Sequence, residues 1–340
     1  MNRSELKTTV LGAGSWGITL ANLCSDIGHQ TTLWEFDAKE AEKLQIERKR
    51  EAVLPGIMIN NAIRITSDIE QAVRDADMIL LVVPSHVSRG VLQQLDKCKM
   101  KQDVILISCT KGIEVESHKR ISEIFQEEVS RIDFDHFAVL SGPSHAEEVS
   151  RKIPTAIVAA STNDRVAQYV QQALNTSRFR VYRSHDVIGV EIGGSLKNVI
   201  AIAAGICDGA GFGDNTKAAL QPRGLAEIAR LGKKLGAEPM TFAGLSGMGD
   251  LIATCMSRHS RNRFVGEQIG RGKSLEQVLA EMTMVAEGVR TCNAAHALAE
   301  IHKVEMPISR EVYNVLFDNK DPIKAMEDLM SREVKPEIWY

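Results

Sequence analysis

Lys197 is the residue with the most chemistry to offer. It lies in Gly189–Arg230, GVEIGGSLKNVIAIAAGICDGAGFGDNTKAALQPRGLAEIAR, just before the nine uncharged residues Val199 to Cys207. A lone ammonium at the mouth of an apolar helix must find a partner, reach water, or give up its proton at a lowered pKa. The last outcome is what a general acid/base near neutral pH needs. From this stretch alone, a lysine snorkelling from the end of a core helix fits equally well. A second signature, at the other end of the chain, favours the chemical role.

That signature is Gly12-Ala13-Gly14-Ser15-Trp16-Gly17. It follows a β-branched and apolar run, Thr8–Leu11, and precedes a helical pattern, Ile18–Asp26, closed by Gly28. In the order strand, glycine turn, helix, each glycine has a task. Gly12 permits the tight turn, Gly14 lets the backbone approach a pyrophosphate, and Gly17 lets the helix pack close to the strand. The phosphates then sit on the helix N-terminus. A second strand, Gln30–Trp34, ends at Glu35, 18 residues after Gly17, where a carboxylate that binds the adenosine ribose is expected.

These residues need a sheet to hold them, and the pattern supplies one. Further strand-like runs occur at Ile63–Thr66, Met78–Val83, Val104–Cys109 and Phe137–Leu140, separated by charged, helix-like segments. Apolar strands alternating with amphipathic helices predict a parallel sheet covered on both faces. Val83-Pro84-Ser85, Cys109-Thr110-Lys111-Gly112 and Ser141-Gly142-Pro143-Ser144 then lie beyond the carboxyl ends of strands, where such sheets bind ligands. Thr155–Ala160 and Phe179–Tyr182, bracketing a helix at Asp164–Leu174, extend the sheet. From Val187 onward the signal is helical, with breaks at Gly213, Pro222, Gly236, Gly249, Gly270, Gly288 and Pro307, and Lys335–Tyr340 reads as a tail. The fold class is α/β: an N-terminal Rossmann-type doubly wound sheet over residues 1–186, then an all-α C-terminal domain over 187–340.

Composition narrows the partners. At 340 residues the chain exceeds one domain of about 150 residues. The balance of 41 basic against 44 acidic residues, net −3, excludes a strongly basic nucleic-acid or anionic-membrane surface. The longest apolar runs, Met78–Val83 and Val199–Cys207, fall short of the roughly 20 residues of a bilayer span. The N-terminal MNRSELKTTVLGAG has no signal-peptide stretch, so a cytoplasmic location is expected. Cys24, Cys98, Cys109, Cys207, Cys255 and Cys292 include no C-x-x-C pair and read as reduced thiols, with no metal site implied.

Taken together, GAGSWG, VPS, TKG, SGPS, GVEIGGSLKNVIAIAAGICDGAGFGDNTKAAL, GLSGMGD, SRNR and VAEGVR closely resemble the soluble NAD(P)-dependent glycerol-3-phosphate dehydrogenases, in that family's order and from about Thr9 to about Pro307. The resemblance implies reduction of dihydroxyacetone phosphate to sn-glycerol 3-phosphate, the backbone precursor of glycerophospholipids, with NAD(P)H as cofactor and a phosphorylated triose as partner. It places Gly12, Gly14, Ser15, Trp16 and Gly17 in the cofactor turn and Ala146 near the nicotinamide half. It assigns Lys111, Gly142 and Ser144 to the substrate, Lys111 also touching cofactor, and makes Lys197 the proton acceptor. Asp250, Ser260, Arg261 and Asn262 match a substrate cluster in which Arg261 also meets cofactor, and Val285 and Glu287 match further cofactor contacts. A homodimer through the helical domain is implied by the family alone.

The residue types suit these roles. A ketone reduced by hydride needs a proton at its oxygen, which Lys197 can give directly or through water. Lys111 would polarise the carbonyl and, as a like charge, lower the pKa of Lys197, while Asp250 would hold that ammonium and limit the fall. Arg261 offers a phosphate the planar fork that a lysine lacks, with Asn262 and backbone amides completing the cradle.

Some positions depart from the family. His145 stands where the family has an aromatic residue and reads as a wall of the site. It and His185 are the histidines that would otherwise serve as bases. Pro222 predicts a kinked or restarted helix near Arg223. Residues 35–37, Glu-Phe-Asp, offer no arginine for a 2′-phosphate, the nearest downstream cations being Lys39 and Lys43, so NADH is favoured. The competing functions are a β-hydroxyacid or 6-phosphogluconate type dehydrogenase, against which GFGDNTKAAL and SRNR speak, and a dinucleotide-sensing module without catalysis.

Overall fold

The computed structural model describes residues 5–282, 285–334 and 336–337, so Lys335 and residues 338–340 of the expected tail lie outside the described residues. Among the described residues, eight strands form one sheet: β1 (Lys7–Leu11), β2 (Gln30–Trp34), β3 (Arg64–Thr66), β4 (Met78–Leu81), β5 (Ile105–Ser108), β6 (Phe137–Ser141), β7 (Thr155–Ala160) and β8 (Phe179–Ser184). Their order is β3-β2-β1-β4-β5-β6-β7-β8. Every pair is parallel except β6 with β7. In register, Val10 faces Leu33 on one side and Leu80 on the other. Both faces are dry: Val10, Leu33, Leu80 and Ile107 pack on one, Leu11, Ile79, Leu81 and Leu106 on the other.

The strand order reverses between β1 and β4, so the carboxyl ends of these strands open a crevice at the glycine turn. Gly12 turns there with φ +112°, and Gly12 N–H donates to Trp34 O at 3.0 Å. The ends of β4, β5 and β6 bring VPS, TKG and SGPS to the same edge.

The helical half is built around one helix, Val187–Gly209. Leu196, Val199, Ile200 and Ile202 lie in its core with Val265, Cys292, Ala295 and Val312 from later helices. The helix spans 23 residues, with mean hydropathy 1.5 in its 18-residue window, so by length and composition it could cross a membrane; counting uncharged runs alone missed this. The protein itself buries 94% of that window, which makes it a core helix. Its tightest neighbour is Arg261–Gly270. Built Cβ atoms would lie 1.9 Å from Arg263 O at Gly205, 2.1 Å from Glu267 O at Gly209 and 2.0 Å from Ile202 O at Gly266. Only glycines let these two backbones touch.

Two carboxylates join the halves, Glu191 from the helical side and Asp186 from the end of the sheet half. Glu191 accepts Ser122 N–H at 2.8 Å, Ser122 Oγ–H at 2.6 Å and Arg120 Nη1 at 2.8 Å. Asp186, capping the long helix, accepts Gly189 N–H at 2.7 Å and Glu238 N–H at 2.9 Å.

Of the kinked or restarted helix expected at Pro222, the restart is corrected: Asp214–Lys234 runs as a single helix through it. Pro222 faces solvent, while Leu220, Gly224, Ile228 and Leu231 pack inward, so tertiary burial holds the helix across the missing N–H. Arg223 is exposed and donates to Glu337 O at 3.0 Å.

The glycine contacts make a paired prediction. Gly266→Ala should destabilise the fold by about 1–3 kcal/mol, since the Ile202 carbonyl cannot retreat without bending the long helix. Gly90→Ala, in the exposed interior of Ser85–Lys97 with nothing within 4 Å of its Cβ, should instead stabilise by about 0.5–1 kcal/mol. Urea unfolding of both variants checks the two signs.

Candidate functional site

At the carboxyl edge of the sheet, two lysines meet one carboxylate. Lys197 Nζ donates to Asp250 Oδ1, and Lys111 Nζ donates to Asp250 Oδ2 at 2.9 Å. Lys197 also donates to Thr254 Oγ1 at 2.7 Å, and Thr254 Oγ–H donates to the Asp250 carbonyl at 2.6 Å. Lys111 reaches Gly142 O at 2.8 Å and Ser144 Oγ at 3.3 Å. Lys111, Lys197, Asp250, Gly142 and Ser144, remote in sequence, therefore share one place.

The backbone explains the convergence. Lys197 projects from the long helix, and Lys111 follows β5 by three residues. Asp250 opens a short helix, Asp250–Met256, directly after a π-helical turn at Leu245–Gly249 in which Gly249 N–H donates to Gly244 O at 3.1 Å. Such a widened turn is a frequent device for aiming a functional side chain. Thr254 stacks one helical turn beyond Asp250 and holds Lys197 from the second side.

Burial decides the electrostatics. It lowers the Lys197 pKa to about 8; the Asp250 charge opposes the fall and the like charge of Lys111 adds to it. Burial would raise the Asp250 carboxyl, but Lys111 and Lys197 outweigh it and hold it below the usual carboxylate range. His145 donates from Nε2 to Ala253 O at 3.3 Å, and burial pulls its pKa down, helped by Lys197 and Lys111. A neutral imidazole with its N–H on a backbone carbonyl is a wall of the site. His185 lies at the surface, 3.9 Å from Asp164, and takes no part in this cluster.

The cofactor turn fits a pyrophosphate. A Cβ on Gly17 would lie 1.8 Å from Gly12 O, whereas one on Gly14 would meet nothing within 4 Å, so the space over the turn is open. The Ser15–Asp26 helix starts earlier than Ile18, has Gly14 as N-cap, no side-chain cap and no acidic residue in its first turn. Its first N–H groups are left for an anion. Thr19 Oγ–H, one turn in, donates to Ser15 O at 2.8 Å, and the same hydroxyl lies 3.3 Å from Ala146 O at the start of the Ala146–Val149 helix. Trp16 packs against the apolar cluster of the same face.

Opposite, Glu287 accepts Ser85 N–H at 3.2 Å and Ser85 Oγ–H at 2.6 Å. Arg261 donates from Nη1 to Val285 O at 3.0 Å. Ser260 caps its own helix through Arg263 N–H at 3.2 Å. The Asn262 amide is committed to protein: Nδ2 donates to Asn198 Oδ1 at 2.9 Å, and Oδ1 accepts Gly288 N–H at 2.9 Å. It joins three helices. Arg263 is likewise spent on Asp208, at 2.6 Å.

Glu35 is buried at the end of β2, not turned to solvent. Its nearest cation is neither Lys39 nor Lys43 but Arg50, whose Nη1 donates to Glu35 Oε2 at 2.9 Å and to Ala13 O at 2.8 Å. A long loop brings Arg50 back beside the glycine turn, and sequence spacing gave no sign of it. Thr254 was also missed, although its i+4 relation to Asp250 was a usable signal.

Asp250→Asn tests the shared carboxylate. It leaves two like charges without a counter-ion and should cost about 3–5 kcal/mol at pH 7 in urea unfolding. A loss under about 1 kcal/mol would show that the two lysines do not depend on it.

Comparison with known proteins agrees over nearly the whole chain. The family model for the NAD-dependent glycerol-3-phosphate dehydrogenase N-terminus matches residues 7–167, and that for the C-terminus matches residues 186–327. The chain is 51% identical, over 98% of its length and 100% of the relative's, to a glycerol-3-phosphate dehydrogenase [NAD(P)+] of Chlorobium phaeobacteroides. It is 49% identical, over 98% and 99%, to one of Thermoanaerobacter sp.. The crystal structure of glycerol-3-phosphate dehydrogenase from Coxiella burnetii superposes with TM-score 0.92 at 34% identity, covering 97% of this chain and 100% of that one. A strand-ordered crevice, a glycine turn and a two-lysine carboxylate cluster thus coincide with these matches, and the chain belongs to the NAD-dependent glycerol-3-phosphate dehydrogenase family.

Proposed function

We propose that this chain catalyses the reversible reduction of dihydroxyacetone phosphate to sn-glycerol 3-phosphate with NAD(P)H, supplying glycerophospholipid synthesis. The observation that carries the reading is the buried Lys197–Asp250–Lys111 cluster beside the cofactor turn. When bound, the nicotinamide supplies the hydride. Lys197 holds the proton that the carbonyl oxygen must gain, and a pKa of about 8 suits both giving and taking it. Lys111 polarises that oxygen, with Gly142 and Ser144 fixing its ammonium. Asp250 keeps the two cations together. Arg261 meets the substrate phosphate as a fork, with Ser260 and Asn262 in the same substrate cluster, Asn262 having a second Nδ2 hydrogen beside the one given to Asn198. Gly12, Gly14, Ser15, Trp16, Gly17, Glu35, Ala146, Val285 and Glu287 line the cofactor path.

The sheet before residue 186 serves as the dinucleotide-binding domain and the helices after it as the substrate domain. A homodimer through the helical half and a cytoplasmic location belong to the same reading and rest on family membership. Glu35, Asp37 and Glu40 crowd the adenosine end with carboxylates, so NADH should be used at least as well as NADPH.

Oxidation of NADH and of NADPH, each with dihydroxyacetone phosphate and with hydroxyacids, tests the reaction; turnover confined to hydroxyacids would overturn it. Lys197→Ala should lower kcat by about 10² to 10⁴. In the wild type, reduction needs the protonated amine, so kcat/KM for reduction should fall as pH rises through about 8 and that for glycerol 3-phosphate oxidation should rise over the same range. The variant should lose both limbs; retention of either with kcat within threefold would remove Lys197 from the role. Arg261→Lys should raise KM for dihydroxyacetone phosphate at least tenfold while affecting unphosphorylated dihydroxyacetone less, and equal losses would show that Arg261 does not hold the phosphate.

A further inference from the structure

Arg50 occupies a place that the family motifs do not explain. It lies in the loop after the Ala38–Glu47 helix, beside an isolated bridge between Lys49 and Met58. Its Nη1 binds Ala13 O within the cofactor turn and Glu35 Oε2 at the end of β2, and its Nε lies 3.2 Å from Glu40 Oε1. These contacts engage Nη1 and Nε and leave the Nη2 edge, on a side chain 25% exposed, for a further anion.

The surroundings make Arg50 the fixed cation of this corner. Asp37 turns its Oδ1 onto Lys39 N–H at 2.8 Å and Glu40 N–H at 3.1 Å, so the N-terminus of the next helix is already capped by a carboxylate. Lys39 and Lys43 are exposed. A phosphate on the adenosine 2′ oxygen would face the carboxylates of Glu35, Asp37 and Glu40, and among the described residues Arg50 is the cation paired with Glu35 and Glu40. An arginine suits that task, since its planar fork serves several anions at separate edges where an ammonium is a point charge.

We propose that Arg50 is the specificity-determining residue of the adenosine end: by neutralising Glu35 and presenting its outer edge, it lets a site built on a carboxylate take NADPH as well as NADH. The proposal rests on the dinucleotide-binding reading above and adds to it the residue that sets the ratio. Glu35 and Arg50 act as a unit. Removing Arg50 leaves Glu35 a buried carboxylate without its counter-ion that rejects the 2′-phosphate, and removing the Glu35 charge frees Arg50 to bind it.

The test is calorimetric titration of the cofactor-free protein with 5′-AMP and with 2′,5′-ADP, followed by the NADPH to NADH ratio of kcat/KM. In Arg50→Gln the affinity ratio of 2′,5′-ADP to 5′-AMP should fall at least tenfold, with a parallel fall in the kinetic ratio. In Glu35→Gln both ratios should rise at least tenfold, and in Arg50→Lys they should lie between wild type and Arg50→Gln. Equal losses for both nucleotides would show that Arg50 only braces Ala13 and would overturn the proposal, as would ratios that do not move. If Arg50→Gln does not fold, Arg50→Lys and Glu35→Gln decide by the same ratios. Intact nucleotide binding without turnover of dihydroxyacetone phosphate would sink the reaction assignment alone, whereas a wild type that binds 5′-AMP but not 2′,5′-ADP sinks this proposal alone.

Discussion

One carboxylate shared by two ammonium groups is the constraint around which this protein is arranged. Asp250 is buried, and so is Lys197, so neither charge could be kept at that depth without the other. Lys111 reaches the same carboxylate from the end of β5, which makes a single side chain the meeting point of the sheet half and the helical half. The arrangement is balanced: the attraction keeps Lys197 charged enough to hold a proton, while burial and the second cation keep that proton labile. A well-solvated pair would fail on the second count, and an unpaired lysine on the first.

Holding three groups at hydrogen-bond distance demands a rigid frame, and the frame comes from glycine. Gly205, Gly209 and Gly266 bring the long helix and the Arg261–Gly270 helix into backbone contact, which fixes Lys197 and Arg261 relative to each other. Asn262 extends the lock by bridging Asn198 to the start of the Glu287–His302 helix. Glu191 and Glu287 then fasten this helical block to the sheet at Ser122 and Ser85. The polar groups at these joints are satisfied by protein, so the cleft edges are set before anything binds.

Local signals carried much of this into the sequence. The glycine turn, β1, β2 and the Asp164–Leu174 helix were readable because each depends on neighbours in the chain. Strand ends were overrun at Val82–Val83 and Cys109, since apolar character reports burial and these residues are buried or nearly so, and Val82 N–H and Cys109 N–H still donate to Leu11 O at 2.9 Å and Leu81 O at 2.8 Å just past the strand ends. The Lys197–Asp250 meeting spans 53 positions and came from family resemblance, not from spacing. Arg50 escaped for the same physical reason: a side chain's partner across a loop is set by tertiary packing, which single-chain periodicity does not encode. Pro222 shows the reverse case, a strong local rule overridden by a buried face.

The long helix also bears on biosynthesis. The helices that cover it lie downstream, from Asp214 to Phe317, so at ribosomal rates of about 5–20 residues per second it waits on the order of ten seconds for its cover. During that interval a 23-residue segment with the hydropathy of a bilayer span is exposed to the translocation machinery and to membranes. Lys197 falls one residue from its midpoint, where a lysine costs about 2.5–3.5 kcal/mol on insertion, and Glu191 and the glycines raise the barrier further. The buried charge that Asp250 holds in the folded protein is thus also the charge that opposes insertion of this helix into a bilayer, and a redesign that removes it lowers that barrier.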